Sequence, residues 1–392
     1  MAVHTFLQRG AWAAALSVFL LVACQKQDEE QLAAPDTTGL AALPAVAPAP
    51  ADNPSTPTKV ALGRALFWDP VLSGTREVSC ATCHHPATGY ADALDLAVGV
   101  NGQGTGAARR FRIPNTIPFG QRNTPSVLNA AFNGIGANGL VDASASPMFW
   151  DSRAQSLEAQ ALGPMANFSE MRGHQYSEVA ALDSIVARLQ AIAEYRQLFS
   201  AVFGGSNPVT AGNLTKALAC FERTLITPDA PFDRYMRGDK SALTAEQVRG
   251  LNAFVQSGCN KCHNGPMLSD YQTHVLGIVD NEKNATSDSG QNGSYAFRTP
   301  SLRNLAFTAP YMHSGKLPDL QAVLRFYDPG RGVPPPPLNP NVAPNRRDPL
   351  LANVRINDPD AIIAFLASLN SSDFDKTVPT RVPSGLRVGG NL

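Results

Sequence analysis

Helical periodicity is the dominant pattern of apolar and polar residues along this chain. Apolar residues recur every three or four positions in five segments: 58–68, 177–203, 244–254, 319–327 and 358–366. This spacing is typical of amphipathic helices that bury one face. No run of alternating residues predicts a strand with comparable strength. The pattern therefore predicts a mainly α fold.

Helix-capping residues support three of these segments. Thr244 is followed three residues later by Gln247, which is the pattern of a capping box. Asp319 can cap the helix that carries Tyr327, and Asp358 precedes Pro359 at a favourable helix start. These signals predict where the helices begin.

Composition narrows the class of protein. The chain has 392 residues, with 32 basic and 32 acidic side chains and a formal net charge of zero. A nucleic-acid-binding protein would show a basic surplus, so this partner is not expected. The 31 glycines and 31 prolines predict long loops between short elements. The length suffices for two or three domains.

The N-terminus has the pattern of an export signal. Residues 1–24 combine Arg9, an apolar stretch from Ala13 to Val22, and Cys24 in a sequence that resembles a bacterial lipobox. We expect residues 1–23 to be a signal peptide and residues 24–57 to be a lipidated, flexible tether. Gln25 after the cysteine is consistent with a periplasmic protein anchored to the outer membrane. The alternative is an uncleaved N-terminal anchor.

The motif Cys-x-x-Cys-His occurs twice, at 80–84 and at 259–263. Two such thiols can form thioethers to haem vinyl groups, and the adjacent histidine can bind the iron. A zinc site that combines both cysteine pairs, a thioredoxin-like redox pair and disulfides are the alternatives. The histidine at both motifs and the export signal favour two covalently bound haem c groups.

With these motifs in place, the chain resembles the bacterial di-haem cytochrome c peroxidases, whose superfamily includes MauG. The resemblance covers residues 58–370. It rests on ordered sequence blocks, among them 122–126, 149–154, 160–164, 221–225, 232–235, 300–304 and 308–315.

The resemblance implies two cytochrome-c-like haem domains with a calcium site between them. We expect an N-terminal peroxidatic domain at 58–205, a C-terminal electron-transfer domain at 206–375 and a frayed tail at 376–392. Cys80, Cys83 and His84 would hold the first haem. Cys259, Cys262 and His263 would hold the second.

The resemblance also implies roles for further side chains. Phe149, Gln160 and Glu170 would line the peroxide side of the first haem, and Trp150 would relay electrons between the haems. The calcium ligands would come from Asn123, Thr308 and Pro310, whose oxygen donors suit this cation. From the residues alone, Trp150 could be simple core packing and Glu170 a solvated loop carboxylate.

Two features depart from the ordinary peroxidases. Those proteins hold a gating histidine between the first motif and the Arg122 block, and this chain has none there, because its seven histidines are His4, His84, His85, His174, His263, His274 and His313. The ordinary peroxidases have an axial methionine at the position of Tyr327, whereas MauG-like proteins have a tyrosine there, as this chain does. Met312 is the rival ligand of the second haem iron, and a buried tyrosine could also be plain core. Ser257 replaces a surface tryptophan of MauG.

The resulting prediction is a periplasmic peroxidase. It would reduce hydrogen peroxide to water with electrons from a small redox donor, a cytochrome c or a cupredoxin. The alternatives are a MauG-like oxidase that modifies residues of a partner protein and a cytochrome that only transfers electrons. Contact with the membrane would be limited to the lipid on Cys24.

Overall fold

The computed structural model describes residues 35–329 and 336–392, together with Met1. In these ranges the α-helices are α1 (Pro57–Trp68), α2 (Cys80–Cys83), α3 (Leu157–Ala166), α4 (Glu178–Ala191), α5 (Ala193–Phe203), α6 (Ala211–Glu222), α7 (Pro231–Met236), α8 (Ala245–Gln256), α9 (Leu320–Tyr327) and α10 (Pro359–Ala367). The strands form two short antiparallel ribbons, β1 (Gly102–Gln103) with β2 (Arg110–Phe111) and β3 (Thr273–His274) with β4 (Phe297–Arg298). The predicted mainly α class is confirmed.

The segment predicted as one long helix at 177–203 is divided in two. Ile192 adopts an extended conformation, with φ −90° and ψ 114°, and α5 starts at the next residue. The change of direction lets α5 bury Tyr195 and Phe199 in the same core that receives Ile185 and Leu189 of α4. The apolar periodicity of the sequence continues through Ile192, so the sequence pattern does not indicate the break.

A close crossing of α1 and α6 organises the first core. A Cβ atom on Gly63 would lie 2.0 Å from the carbonyl oxygen of Ala217 and 2.9 Å from Cβ of Phe221, so only glycine permits this approach. Leu62, Leu66 and Phe221 are buried at the crossing. The helix contact therefore depends on a missing side chain as much as on the apolar ones.

A crossing of α8 and α10 organises the second core in the same way. A Cβ on Gly250 would lie 1.8 Å from the carbonyl oxygen of Ala361 and 2.9 Å from Cβ of Phe365. Gly250 thus contacts Ala361 and Phe365 in the same way as Gly63 contacts Ala217 and Phe221. Ala217–Glu222 of α6 is therefore equivalent to 361–366 of α10.

The equivalence extends to loops and defines an internal repeat that the sequence analysis did not find. The segments 124–132 and 299–307 read TPSVLNAAF and TPSLRNLAF. Asn129 and Asn304 hold equivalent left-handed positions, with φ 64° and 61°. Their backbone N–H groups donate to Leu225 and Leu369, which are equivalent residues after α6 and α10. We call residues 57–228 the first half and residues 231–371 the second half.

The two halves do not meet at the boundary expected after residue 205. Leu214, Leu218 and Phe221 of α6 belong to the first core. The second core includes Phe232 of α7. The change from one core to the other thus lies between Leu225 and Phe232, because α6 completes the helix crossing with α1.

The described part of the expected flexible tether, residues 35–57, lies against the folded body. Leu43 is 1% exposed, and its N–H donates to Oδ1 of Asp233 at 2.8 Å. Asn53 is fully buried and donates to Oε1 of Glu158 at 2.7 Å. Buried apolar side chains and specific hydrogen bonds thus hold this segment against the folded body. The sequence of the segment shows no apolar periodicity from which these contacts could be predicted. The predicted signal peptide and Cys24 lie outside the described residues.

The C-terminal tail 376–392 is also packed instead of frayed. Val382 is 1% exposed. The N–H of Gly389 donates to the Trp68 carbonyl at 2.8 Å, and the hydroxyl of Thr82 donates to the Gly389 carbonyl at 2.9 Å. The tail thereby covers the outside of the first Cys-x-x-Cys-His motif. No helix in the described ranges is long and apolar enough to cross a membrane.

Candidate functional site

The first Cys-x-x-Cys-His motif forms α2 and the residue after it. The Ser79 N–H donates to Oγ1 of Thr82 at 2.9 Å, which closes the start of this short helix. Nδ1 of His84 lies 2.9 Å from the carbonyl oxygen of Tyr90. Nδ1–H therefore donates to that carbonyl, and the Nε2 lone pair stays free for a metal. Burial lowers the pKa of His84, which favours the neutral ligand form.

The second motif repeats this arrangement. Gly258, at φ 80°, turns the chain into the short helical segment Cys259–Lys261. Nδ1 of His263 lies 2.9 Å from the carbonyl oxygen of Leu268. Each motif thus presents two free thiols and one imidazole with a fixed orientation.

The geometry gives no support to the alternatives for these motifs. The described cysteines are all free, so none forms a disulfide. Among the described residues, one cluster of three possible metal ligands occurs, Cys262 with Asp270 and His274, and it does not join the two cysteine pairs. Neither motif follows a strand of a βαβ unit.

One cavity of about 590 Å³ connects the two motifs. Its wall contains Cys80, Cys83 and His84 from the first motif, and Cys259 and His263 from the second. The remaining predicted site residues that line it are Asn123, Phe149, Trp150, Gln160, Glu170, Thr308, Pro310 and Tyr327. The structure therefore brings the predicted residues together. A second cavity of about 110 Å³ is lined by Cys262, His263, Met312, His313 and Tyr327, among others.

The donor set and the apolar lining of the site fit haem. Each motif offers two half-buried thiols for thioether bonds and an imidazole for iron. Burial is the largest cause of a raised pKa for the Cys80, Cys83 and Cys259 thiols, so they face an apolar environment. Leu128, Met165 and Leu324 contribute apolar surface to the cavity wall.

Glu170 lies in a π-helical turn, Phe168–Arg172, at the end of α3. Oδ1 of Asn167 accepts hydrogen bonds from the N–H groups of Ser169 and Glu170, at 2.9 and 3.2 Å, and so fixes the start of this turn. Burial raises the pKa of the Glu170 carboxyl, and Arg153 opposes the shift. Among the described residues, no hydrogen bond reaches this carboxyl. Its environment is that of a cavity wall and not of a solvated loop.

Arg153 and Phe149 form a second part of the same wall. The guanidinium carbon of Arg153 lies 3.7 Å from the centre of the Phe149 ring, and its Nη1 lies 2.8 Å from Oδ1 of Asp151. Phe149 adopts a left-handed conformation at φ 65°, which aims its ring across α3 toward Gly163. A Cβ on Gly163 would lie 3.0 Å from Cζ of Phe149.

Trp150 lies between the two halves. Its Nε1 donates to the carbonyl oxygen of Asn123 at 2.9 Å, and its own carbonyl accepts from the Arg298 N–H at 2.7 Å. The ring centre lies 6.3 Å from that of His313, which stacks on Phe297. Trp150 lines both cavities, so its position is consistent with more than core packing.

Asn123 and Pro310 meet at the join between the halves. Nδ2 of Asn123 lies 3.2 Å from the Pro310 carbonyl oxygen and 2.8 Å from the Leu94 carbonyl oxygen. A half-turn of the amide would add its Oδ1 to these two oxygens. Asn123 and Pro310 can thus supply hard oxygen ligands at one point, as calcium requires.

The repeat shows which residues of the two halves hold equivalent positions near the motifs. Met148 pairs with Ala154 in the first half, and Tyr311 pairs with Leu317 in the second. Phe149 is thus equivalent to Met312, and both are left-handed, at φ 65° and 70°. Ser156 and Asp319 cap α3 and α9 at the same offset.

This register places Pro164 of α3 at the position that Tyr327 holds in α9. Both residues line the larger cavity. Burial raises the pKa of the Tyr327 phenol, with further effects from Cys259 and Cys262. Within the described part of the chain its hydroxyl has no hydrogen-bond partner, which a core tyrosine normally has. In the sequence, Pro164 is recognisable only as the last residue of the block 160–164. The signal that could have given its place was the common spacing from the two helix caps.

Histidines outside the two motifs do not line the larger cavity in the part of the chain that the structure describes. His85 packs edge-on against Trp68, with ring centres 5.6 Å apart, and Nδ1 accepts from the Ala87 N–H. His174 contacts Phe168 and Thr116. Among the described histidines, only His84 and His263 line the larger cavity.

Known proteins that are similar to this chain include di-haem peroxidases and MauG proteins. A family model described as di-haem cytochrome c peroxidase matches residues 57–241. Methylamine utilization protein MauG of Methylorubrum extorquens is 37% identical over 352 residues, 86% of this chain and 85% of that protein. Cytochrome c551 peroxidase of Pseudomonas aeruginosa is 35% identical over 320 residues, 79% of this chain and 78% of that protein.

A solved structure extends the similarity to the fold. A MauG-like protein associated with microbial copper homeostasis gives a TM-score of 0.65 at 27% identity, and the match covers 84% of this chain and 94% of that one.

Proposed function

Because this chain belongs to the di-haem cytochrome c peroxidase family, we propose that it reduces hydrogen peroxide to water. The two protons and two electrons of each turnover would come from solvent and from a small redox donor, a cytochrome c or a cupredoxin. The main support for this proposal is the Glu170 carboxyl, which lies in the wall of the cavity that His84 also lines. This carboxyl has a pKa raised by burial and no hydrogen-bond partner among the described residues.

The haems would be held by residues of the two motifs. Cys80 and Cys83 would form thioethers to the first and Cys259 and Cys262 to the second, with His84 and His263 as iron ligands. Haem iron supplies the one-electron redox chemistry and a binding position for peroxide oxygen. The hydrogen bonds from Nδ1 of each histidine to a backbone carbonyl orient the imidazole and increase its donor strength.

Glu170 would carry the proton between the two oxygens of peroxide. Its carboxylate accepts the proton of one oxygen and returns it to the other, so the leaving oxygen departs as water. Gln160 and Phe149 would orient peroxide and exclude other water. Pro164 has no side-chain donor, so it would leave free the position whose equivalent Tyr327 occupies in the second half.

Trp150 would relay electrons between the two sites. Its ring lies at the join of the halves and lines both cavities. A calcium ion bound by Asn123, Thr308 and Pro310 would fix the same join. The export signal and Cys24 support a periplasmic location with a lipid anchor in the outer membrane.

A second function, oxidation of residues in a partner protein, is favoured by Tyr327. An oxygen ligand stabilises oxidised iron, and the relatives include MauG. Ser257 is 2% exposed, however, so no surface aromatic occupies the position that MauG uses. This difference supports peroxide reduction as the first choice.

The test is steady-state turnover of peroxide with a reduced cytochrome c, using the protein as isolated, without prior reduction. Glu170→Gln should keep both haems attached and lower turnover by about 10²-fold or more, the usual contribution of a placed acid–base group. Glu178→Gln, at an exposed carboxylate of α4, is the matched control and should be unchanged. Unchanged turnover in Glu170→Gln would assign the proton transfer to another group.

A further inference from the structure

Glu222 is a buried carboxyl to which the proposed mechanism gives no role. It is the last residue of α6, is 7% exposed and lines the larger cavity near Cys80. Among the described residues no hydrogen bond reaches its carboxyl oxygens. Burial raises its pKa to about 8, Arg223 opposes this shift and Glu158 adds to it. A side chain of this kind faces the space where the first haem would be attached.

The cations near Glu222 are bound to other groups. Arg223 donates to both carboxylate oxygens of Glu158, at 2.8 and 3.1 Å. The other basic residues on the helices that pack against α6 also have their own partners: Arg64 with Asp375, Lys59 with Asn53 and Pro54, and Arg188 with the carbonyls of Val71, Ser73 and Gly74. The helices around Glu222 thus leave its charge without a paired cation.

The second half has an apolar residue at the equivalent position. Gly63 meets Ala217 and Phe221 as Gly250 meets Ala361 and Phe365, so Glu222 corresponds to Leu366. Leu366 is buried in the second core and also lines the larger cavity. The same scaffold therefore accepts a leucine here, and the carboxyl is not needed for the helix crossing. It is a feature of the first site alone.

A carboxyl in this position interacts with charge on the first haem. Burial is the main reason that the pKa of the Cys80 thiol is raised, and the negative charge of Glu222 adds to this effect, as expected for a carboxyl close to the attachment point of the first haem. Ferric haem carries one more positive charge than ferrous haem. Opposite charge nearby favours the ionised carboxylate, so the oxidised haem lowers the proton affinity of Glu222 and the reduced haem restores it.

We propose that Glu222 is a redox-linked proton site of the haem attached at Cys80 and Cys83. Its carboxylate takes up one proton from solvent when that haem gains one electron from the donor, and releases the proton when the electron passes to peroxide. The net charge of the buried site then stays constant through the step. This inference rests on the proposed function through the attachment of the first haem.

The experiment is a potentiometric titration of the intact di-haem protein at pH values on both sides of the Glu222 pKa of about 8. A Cys80→Ala/Cys83→Ala variant identifies the wave of the first haem by its loss. In the wild-type protein the midpoint potential of the first haem should fall as pH rises. The fall should correspond to up to one proton per electron between the pKa that Glu222 has beside the oxidised haem and the pKa that it has beside the reduced haem. The second wave is the internal reference.

The pH dependence of the midpoint potential of the first haem should vanish in Glu222→Gln and in Glu222→Leu. The second variant introduces the residue that the second half has at the equivalent position, Leu366. Glu178→Gln, on the surface, should retain the pH dependence. Redox-difference infrared spectra should show a carboxylic acid C=O signal in the wild-type protein that is lost in Glu222→Gln. An unchanged pH dependence in both Glu222 variants with two haems attached would overturn this inference alone. A mass spectrum of the wild-type protein without the first haem would instead overturn the proposed function.

Discussion

The two halves of the chain share the same arrangement of helices and loops and differ in the side chains that line the cavity. Both have a glycine at the helix crossing, a Cys-x-x-Cys-His motif with Nδ1 bound to a carbonyl, a left-handed asparagine and a capped helix beside the cavity. The cavity residues differ at equivalent positions: Phe149 and Met312, Gln160 and Val323, Pro164 and Tyr327, and Glu222 and Leu366. The two halves thus differ by a few cavity-lining side chains on a shared scaffold.

These substitutions have opposite effects on proton chemistry. The first half places Glu170 and Glu222 in its cavity wall, each with a pKa raised chiefly by burial. In the second half, Leu366 stands at the position equivalent to Glu222, and the phenol of Tyr327 stands at the position equivalent to Pro164. A site that breaks peroxide needs a proton carrier and a free position, whereas a site that passes electrons needs neither. The comparison therefore supports the proposal that peroxide is reduced in the first half.

The largest effect should come from making the first half resemble the second. Pro164→Tyr places a phenol at the position equivalent to Tyr327, and it should occupy the space that peroxide needs. We expect peroxide turnover to fall to the level of an enzyme without its acid–base group, roughly 10²-fold below wild type. The first haem should also change to a six-coordinate spectrum.

Pro164→Val is the control for this substitution, because it removes the proline without adding a ligand. It should retain a free position and most of the activity. Wild-type turnover in Pro164→Tyr, with an unchanged spectrum, would show that the two positions are not equivalent.

An intermediate effect is expected at the two helix crossings. Gly63→Ala and Gly250→Ala each bring a Cβ within about 2 Å of a backbone carbonyl oxygen. Overpacking costs about 1–3 kcal/mol and sometimes more, and backbone contacts can relax least. Both variants should therefore lose about 3 kcal/mol of unfolding free energy, measured by urea denaturation of the haem-containing protein.

Gly212→Ala provides the contrast within α6, because nothing lies within 4 Å of a Cβ built there. It should gain about 0.5–1 kcal/mol from helix propensity. If Gly250→Ala were as stable as Gly212→Ala, the second crossing would not be the close contact that the first one is.

The smallest effect on stability is expected for Tyr327→Phe. The hydroxyl has no hydrogen-bond partner among the described residues, so its loss should change unfolding free energy by less than about 1.5 kcal/mol. The spectrum should change fully, since the second haem would lose an oxygen ligand and become five-coordinate or water-bound. A near-infrared His–Met band that persists in Tyr327→Phe and disappears in Met312→Ala would identify Met312 as the ligand instead.

The sequence by itself determined the chemistry of attachment. Two Cys-x-x-Cys-His motifs have few other uses, because spacing and residue type together match a haem edge and its iron. Helix periodicity and caps also gave most of the helices that border the cores. These signals are local, so they can be read without the fold.

Tertiary structure decided what depends on contacts between distant segments. The helices α3 and α7 were not predicted, the break at Ile192 was hidden by continuous periodicity, and the packed residues of 35–57 and 376–392 had the composition of loops. These segments are stable because they fit surfaces formed elsewhere in the chain.

The roles of Pro164 and Glu222 were hidden for the same reason. Neither residue type by itself indicates a role, since a proline or a glutamate in a motif has many uses. The contacts that recur in the two halves show that Pro164 is equivalent to Tyr327 and that Glu222 is equivalent to Leu366. The pKa of Glu222 is raised by burial, and burial is a property of the folded chain.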